Sequence, residues 1–173
     1  MKSSGVLSIL ALISAISAAV WFGLSIAAQS LAYDLFVTGT SDLRTMDLSL
    51  QLNTIRLVSN LLVMAGFAYA ILIVSIKLYL WLQRSTFKRN GHLMMCMALY
   101  VVSVPFGLYY SWLALQLYWL VGDHYSIAGI NATSVIPAFT KLFTKQEWLN
   151  FLSLASFASI TAILIFKPLQ RKD

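Results

Sequence analysis

The residue types that most often carry out chemistry are few and widely separated in this chain. Its two histidines are His92 and His124, and Cys96 is the single cysteine. The apolar run between the histidines is long enough to cross a bilayer, so they cannot share one metal or one haem within the chain. The sequence contains no Ser-His-Asp set, Walker loop, Rossmann glycine pattern or HExxH helix. We therefore expect no enzymatic activity, no cofactor and no metal site, and we expect Cys96 to be a small buried residue.

Composition indicates that the bilayer is the solvent of this protein. Of its 173 residues, 60% are hydrophobic and 10% are charged, whereas soluble domains carry about 25% charged residues. A chain of this length cannot bury so much apolar surface in one globular core. The formal net charge is +6, but the basic residues lie beside the apolar runs. That placement favours lipid headgroups as partners and argues against direct binding of nucleic acid.

Four apolar runs predict an all-α integral membrane protein, a bundle of four transmembrane helices forming one membrane domain over residues 1–173. The predicted spans are about 6–28, 57–82, 93–121 and 149–166. Two longer outward-facing loops, about 29–56 and 122–148, and a cytosolic turn at about 83–92 connect them. The first run exceeds the apolar region of a cleaved signal peptide, so we expect it to remain as a span. Pro105 and Gly107 predict a bend in the third helix.

Basic residues are distributed unequally between the two sides of the predicted bundle. Both termini and the 83–92 turn share one side, which carries seven basic residues against the single acid Asp173. The positive-inside rule therefore predicts cytoplasmic N- and C-termini in a plasma membrane, the inner membrane if the source is bacterial. We expect this side to contact anionic lipid or a cytosolic partner protein. The candidate contact residues are Arg84, Lys88, Arg89, His92, Lys167, Arg171 and Lys172. Among them, His92 is expected to be solvated or lipid-facing.

Small residues recur at every fourth position of the first run. They are Ala11, Ala15, Ala19, Gly23 and Ala27, and we call them the small-residue ridge. Such a ridge allows the backbone of another helix to come close. The neighbour belongs either to the same chain or to a second copy, and the sequence leaves both open. We expect a homo-oligomer.

Three polar residues fall inside the predicted spans, namely Asn60, Lys77 and Gln116. Lys77 is seven residues from Arg84, so its long side chain can snorkel to the cytosolic interface. Asn60 and Gln116 can hydrogen-bond to each other or to a second subunit. The alternative is that these residues lie along an intramembrane polar path.

The predicted outer loops carry their own helix signals. Thr144 and Glu147 match a capping box, which predicts that the fourth helix begins near Lys145. Before it, IPAFTKLF predicts a separate short helix with Pro137 near its first turn. Residues 43–56 fit either a strand or a helix, and their composition favours a helix that runs into the second span. Asn131 begins a glycosylation sequon, which has meaning only if the source is not bacterial.

The predicted layout leaves a small cytosolic surface and a larger outer one. It favours a homo-oligomeric sensor or scaffold that couples an envelope or membrane event to a cytosolic partner. Alternatives are a channel or transporter subunit, and an immunity protein against a pore-forming toxin or an accessory subunit of a larger complex. In layout alone, the chain is similar to the four-span immunity proteins against pore-forming colicins and to the membrane component of the Kiwa phage-defence system. That resemblance implies antiviral defence as a context and transfers no residue roles.

Overall fold

The chain folds as four long helices that follow one another with short connections. The computed structural model describes residues 3–36, 48–87, 90–125 and 132–166. The helices are α1 (Ser3–Phe36), α2 (Leu48–Leu82), α3 (Gly91–Tyr125) and α4 (Ala132–Phe166), and a 3-10 turn over Arg84–Thr86 follows α2. Each α-helix has 34 or 35 residues and is about 50 Å long. The helices are therefore longer than the roughly 30 Å of a hydrocarbon core.

Three helices have the length and composition to cross a membrane. Their apolar stretches are Gly5–Tyr33, Leu52–Leu82 and Gly91–Val121, and they include the first three predicted spans. The apolar stretch of α4 is the shorter segment Phe151–Ile163, about 20 Å long. The all-helical architecture is thus confirmed, and the three long apolar helices indicate a protein embedded in a membrane.

Neighbouring helices run antiparallel. Trp21 of α1 contacts Tyr69 of α2 with ring centroids 5.1 Å apart, and the Tyr100 hydroxyl of α3 donates to the Ile73 carbonyl of α2 at 3.1 Å. The pairs α1–α2 and α3–α4 pack most extensively, α2 and α3 join them, and α1 approaches α4 over a short stretch only. We call the end with the 3-10 turn the turn end, and the opposite end the loop end. The turn end holds the beginnings of α1 and α3 and the ends of α2 and α4.

The connections at the loop end are shorter than the predicted outer loops of 29–56 and 122–148. α1 continues to Phe36 and α2 begins at Leu48, while α3 continues to Tyr125 and α4 begins at Ala132. Residues 48–56 are helical, in agreement with the interpretation favoured for that segment, whereas 43–47 and Asn131 lie outside the described residues. Hydropathy reports the lipid-facing length, whereas helices continue as long as packing supports them. That 29–56 and 122–148 lie outside the membrane stays a prediction.

α4 is one continuous helix, so the separate short helix and the capping box were wrong predictions. Pro137 lies inside this helix. Phe139 is fully buried and stacks on Phe143 with centroids 5.8 Å apart, which anchors the first turns of α4 to the bundle. The Thr144 hydroxyl donates to the Thr140 carbonyl at 2.9 Å, as a residue inside a helix does. Tertiary packing of this segment therefore overrides the local start signal.

Buried side chains form two clusters stacked along the bundle. The turn-end cluster contains Trp21, Ala65, Ala68, Tyr69, Leu72, Ile76, Leu80, Leu93, Cys96, Tyr100, Phe157 and Ile160. The loop-end cluster contains Ala28, Ala32, Ile55, Val58, Leu62, Tyr110, Ala114, Leu117, Val121 and Phe139. Each cluster draws on all four helices, so packing between helices runs along most of the bundle.

Candidate functional site

The small-residue ridge lies on the exposed face of α1. All five of its members, Ala11, Ala15, Ala19, Gly23 and Ala27, are exposed. A Cβ placed on Gly23 would meet nothing within 4 Å. The inner face of α1 uses other residues, among them Trp21, Ser25 and Ala28, which are buried. The ridge is therefore not a seam between helices of this chain, and contact with a second copy stays a prediction.

Of the three membrane-length helices, α1 has the smallest buried share in its apolar window. Only 17% of its most apolar window is buried, against 39% for α2 and 33% for α3. Branched apolar side chains next to the ridge are also exposed, including Leu12, Ile16 and Val20. Small residues bordered by branched side chains form the surface on which membrane helices pack closely.

Near mid-bundle, one residue from each helix contributes to a cluster of three rings and a glycine. The ring centroids of Trp21 and Phe157 are 5.7 Å apart, and those of Tyr69 and Phe157 are 5.4 Å apart. The remaining helix, α3, contributes Gly107, which faces the Tyr69 ring. We call Trp21, Tyr69 and Phe157 the ring cluster. Because these side chains are almost fully buried, they fill the bundle axis at this level.

Gly107 is required by the position of the Tyr69 ring. A Cβ added at Gly107 would overlap that ring, and the Tyr69 hydroxyl donates to the Ser103 carbonyl at 3.3 Å. The missing side chain of Gly107 thus lets Tyr69 lie against the backbone of α3. Sequence reasoning assigned Gly107 to a bend with Pro105, but α3 is one helix through Pro105. The bend itself stays a prediction.

Buried polar groups next to the ring cluster are unequally satisfied. The Ser25 and Tyr110 hydroxyls lie 3.2 Å apart and hydrogen-bond α1 to α3. Trp21 Nε1 and Ser153 Oγ have no hydrogen-bond partner among the described residues, although both side chains are buried. An unsatisfied buried group of this kind costs about 1–3 kcal/mol. Sequence reasoning predicted neither the contact between Ser25 and Tyr110 nor the burial of Trp21 and Ser153, because single positions in a membrane helix carry no periodic signal.

The structure does not bring the predicted polar residues together. Asn60 and Lys77 are both exposed on α2, and Gln116 of α3 is partly buried. Where an interior path would run, the ring cluster occupies the axis of the bundle. A polar path through a single chain therefore gains no support from these three positions.

The predicted basic contact is only partly described. Arg84 is exposed, and its guanidinium carbon lies 5.2 Å from the Trp81 ring centroid, an arrangement that suits a membrane interface. His92 is only 6% exposed, so the expectation of a solvated or lipid-facing side chain was wrong. α3 begins at Gly91, and this start turns His92 and Leu93 into the bundle. The positions outside the described residues are Lys88, Arg89, Lys167, Arg171 and Lys172.

Cys96 is buried, as predicted. Its Sγ lies 3.9 Å from the Ile160 carbonyl oxygen, a weak contact between α3 and α4. Among the described residues, histidine, cysteine and carboxylate side chains form no group of three that could hold a metal ion.

A pocket opens between α1, α2 and α4 toward the turn end. Its volume is about 240 Å³, and we call it the lateral pocket. It is lined by Ala11, Ser14, Ala15, Leu72, Ile76, Tyr79, Ile160 and Thr161. The first members of the small-residue ridge thus form part of its wall.

No protein-family model, curated protein or solved structure matches the chain. The exposed ridge, the ring cluster, the basic turn and the lateral pocket are therefore the features that bear on function.

Proposed function

We propose that the chain is a non-enzymatic, multi-pass membrane protein that self-associates and acts as a sensor or scaffold. It would couple an envelope or membrane event to a cytosolic partner. The observation that carries this proposal is the exposed small-residue ridge of α1, which has the chemistry of a helix–helix contact and no partner helix along Ala19–Ala27 within the described residues.

In this proposal all four helices cross the membrane. The described apolar stretch of α4 ends at Ile163, and the sequence stays apolar through Leu164, Ile165 and Phe166. Residues 149–166 extend over about 27 Å as a helix, close to the hydrocarbon thickness. Four antiparallel crossings put both termini on the side of the 83–92 turn. The excess of basic residues on that side supports a cytoplasmic orientation in a plasma or bacterial inner membrane.

Self-association through α1 is the part of the proposal with the most direct support. A ridge on one helix can pack against the same ridge of a second copy, since a two-fold dimer uses one patch on both subunits. Each copy then presents its short basic turn at the same membrane surface. Arg84 lies in that turn and is exposed, as a contact to an acidic protein surface or anionic lipid requires.

The competing functions make different use of the same surfaces. An accessory subunit or an immunity protein would place a foreign helix on the ridge, which the exposure of α1 equally permits. A channel would need a path between copies, because the ring cluster fills the axis of one chain. Antiviral defence is one setting in which a membrane sensor of this layout would act.

The test is the mass of the protein in nanodiscs, with a variant that blocks the ridge. Ala19→Leu with Gly23→Leu adds bulk to the middle of the ridge and is expected to convert a defined oligomer into a monomer. A matched control, Ala70→Leu with Ala98→Leu, adds nearly the same bulk at exposed positions of α2 and α3. A monomeric parent protein would refute self-association through the ridge. An oligomer of unchanged mass in the Ala19→Leu with Gly23→Leu variant would refute it as well.

A second measurement addresses the partner. Changing Arg84, Lys88 and Arg89 to Gln is expected to reduce recovery of a soluble partner with the protein from its native host, while oligomer mass stays unchanged. Asn60→Ala with Lys77→Ala serves as the control at exposed polar positions of α2. Unchanged recovery of the partner after neutralisation of the turn would contradict a role for the basic face.

A further inference from the structure

In the proposed membrane embedding, with Leu82 placed at the edge of the hydrocarbon, the lateral pocket lies at the depth of a single bilayer leaflet. Its lining on α2 runs from Leu72 to Tyr79, an axial length of about 10 Å. Leu72 precedes Leu82, the last residue of α2, by about 15 Å, which is half of a roughly 30 Å hydrocarbon core. The pocket therefore begins near the bilayer midplane and extends toward the turn end.

The pocket is closed toward mid-bundle and open at its side. On each of the three helices that line it, a member of the ring cluster follows on the loop-end side: Trp21 after Ala15, Tyr69 beyond Leu72, and Phe157 beyond Ile160. Because α1 and α4 approach each other over only a short stretch, the space between them is left open on the turn-end side of the ring cluster. Exposed Ala11, Ala15 and Thr161 lie at that opening.

Most of the wall is apolar, and two of its three hydroxyl-bearing side chains form hydrogen bonds within the protein. The Ser14 hydroxyl lies 2.8 Å from both the Leu10 carbonyl oxygen and the Ser75 hydroxyl, and Thr161 donates to the Phe157 carbonyl at 2.9 Å. The Ser14 and Thr161 hydroxyls are already engaged, so these two residues place no demand for a polar ligand on the pocket. Leu72, Ile76 and Ile160 supply an apolar inner surface, and Tyr79 lines the pocket nearest the turn end. The occupant that fits this wall is a hydrocarbon.

We propose that the lateral pocket binds one acyl chain of a membrane phospholipid in the leaflet at the turn end. The chain enters between α1 and α4 and lies along Leu72 and Ile76, with its tip toward the ring cluster. The volume of about 240 Å³ exceeds the roughly 150 Å³ of a cavity that holds benzene. The inference rests on the membrane embedding in the proposed function, and it is independent of self-association.

The charge at the turn end favours an anionic headgroup. A lipid whose chain occupies the pocket has its phosphate at the bilayer surface, at the end of the bundle where Arg84 packs on Trp81. The same end carries seven basic residues and a single acid in the sequence. Attraction between these basic residues and an anionic phospholipid adds to the apolar fit of the chain.

The experiment uses the full chain in nanodiscs that contain phosphatidylglycerol with a photoreactive diazirine on one acyl chain. After illumination, labelled peptides are mapped by mass spectrometry. Label at the pocket lining is expected to exceed label at Val74 and Leu78, which are exposed on α2 at a similar depth, by about fivefold or more. Equal labelling at the two sets of positions would mean that only the general lipid shell is seen, and would overturn the proposal.

Variants that fill the pocket give the second arm. Ala11→Leu with Ala15→Leu, and separately Thr161→Leu at the opening, are expected to lower pocket labelling by about fivefold. The control Ala19→Leu with Gly23→Leu changes the same ridge outside the pocket and should leave labelling unchanged. Thr161→Leu keeps the test decisive if the α1 variant misfolds. Helix content and monodispersity are checked for all variants. Undiminished label in a folded, filled variant, or cross-links from the lining to a second copy, would refute the lipid site.

Oligomer mass recorded on the same samples separates this proposal from self-association. If Thr161→Leu loses pocket label at unchanged mass, the lipid site stands whatever the oligomeric state. If Ala19→Leu with Gly23→Leu changes mass and keeps the label, the ridge contact stands on its own.

Discussion

Gly107→Ala is predicted to destabilise the bundle although alanine is the better helix former. The new Cβ would overlap the Tyr69 ring, so that ring must leave its place. Displacement removes the hydrogen bond from Tyr69 to the Ser103 carbonyl, worth about 0.5–1.5 kcal/mol. It also disturbs ring contacts to Trp21 and Phe157, each worth about 0.5–1.5 kcal/mol. Against this stands a gain of up to about 1 kcal/mol in helix propensity.

The net loss expected for Gly107→Ala is therefore about 1–3 kcal/mol, the range found for overpacked cores. Gly66→Ala is the matched control, because a Cβ there meets Ser111 at an ordinary contact distance of 3.6 Å. That variant should be neutral or slightly more stable. Reversible unfolding in mixed detergent, followed by tryptophan fluorescence, measures both variants. Equal stability of the two variants would refute the claim that the Tyr69 ring requires a residue without a side chain at position 107.

A double-mutant cycle makes the reasoning stricter. Tyr69→Leu alone removes the ring and is expected to cost several kcal/mol through the cavity it leaves. When Gly107→Ala is added to it, the Cβ enters vacated space, so the second change should cost little. The expected interaction free energy is about 1–3 kcal/mol in favour of the double variant. Strict additivity would refute the claim that Gly107 acts through Tyr69.

Three further predictions test burial and local geometry by the same unfolding assay or by chemical reactivity. Ser153→Ala removes a buried hydroxyl that has no hydrogen-bond partner among the described residues, so it should be neutral or stabilising. Ser25→Ala breaks the hydrogen bond to Tyr110 and should cost about 1 kcal/mol. Equal effects of the two changes would contradict this difference in hydrogen bonding. Cys96 is buried, so a maleimide should modify it much more slowly in the folded protein than after unfolding in detergent, and equal rates would contradict its burial. Thr144→Ala should change stability by less than about 0.5 kcal/mol, because Thr144 lies inside α4; a loss of about 1 kcal/mol would instead indicate a helix cap.

Hydropathy was sufficient for the helical architecture and for the first three membrane-length helices, since a run of roughly 20 apolar residues has few other uses. It did not show where the helices end at the loop end, where Leu48–Leu82 begins well before its predicted span. Gln51, Asn53 and Arg56 lower local hydropathy there but do not break a helix. Ile55, which is fully buried, packs this polar extension onto the bundle. How far a helix extends beyond the lipid is thus decided by contacts that form only in the folded bundle.

The residues of the candidate sites were harder to predict, for a reason specific to membranes. A soluble helix reveals its inner face by an apolar stripe, whereas a membrane helix is apolar all round. α1 carries small residues on two faces: Ser25, Ala28 and Ala32 are buried, and the ridge is exposed. Spacing alone could not separate them. Nor could it pair Gly107 with Tyr69, because these residues lie 38 positions apart in sequence, on two different helices.

The geometry of the ridge explains why its positions reach two different surfaces of the bundle. Four residues turn a helix by about 40° beyond a full turn, so the five ridge positions wind around α1 by about 160° from Ala11 to Ala27. The first two positions consequently reach the lateral pocket, while Gly23 faces open space. A second helix can follow only part of such a ridge unless it crosses at an angle. Ala19 and Gly23 are therefore the positions where bulk tests self-association, and Ala11 and Ala15 are those where it tests the lipid site.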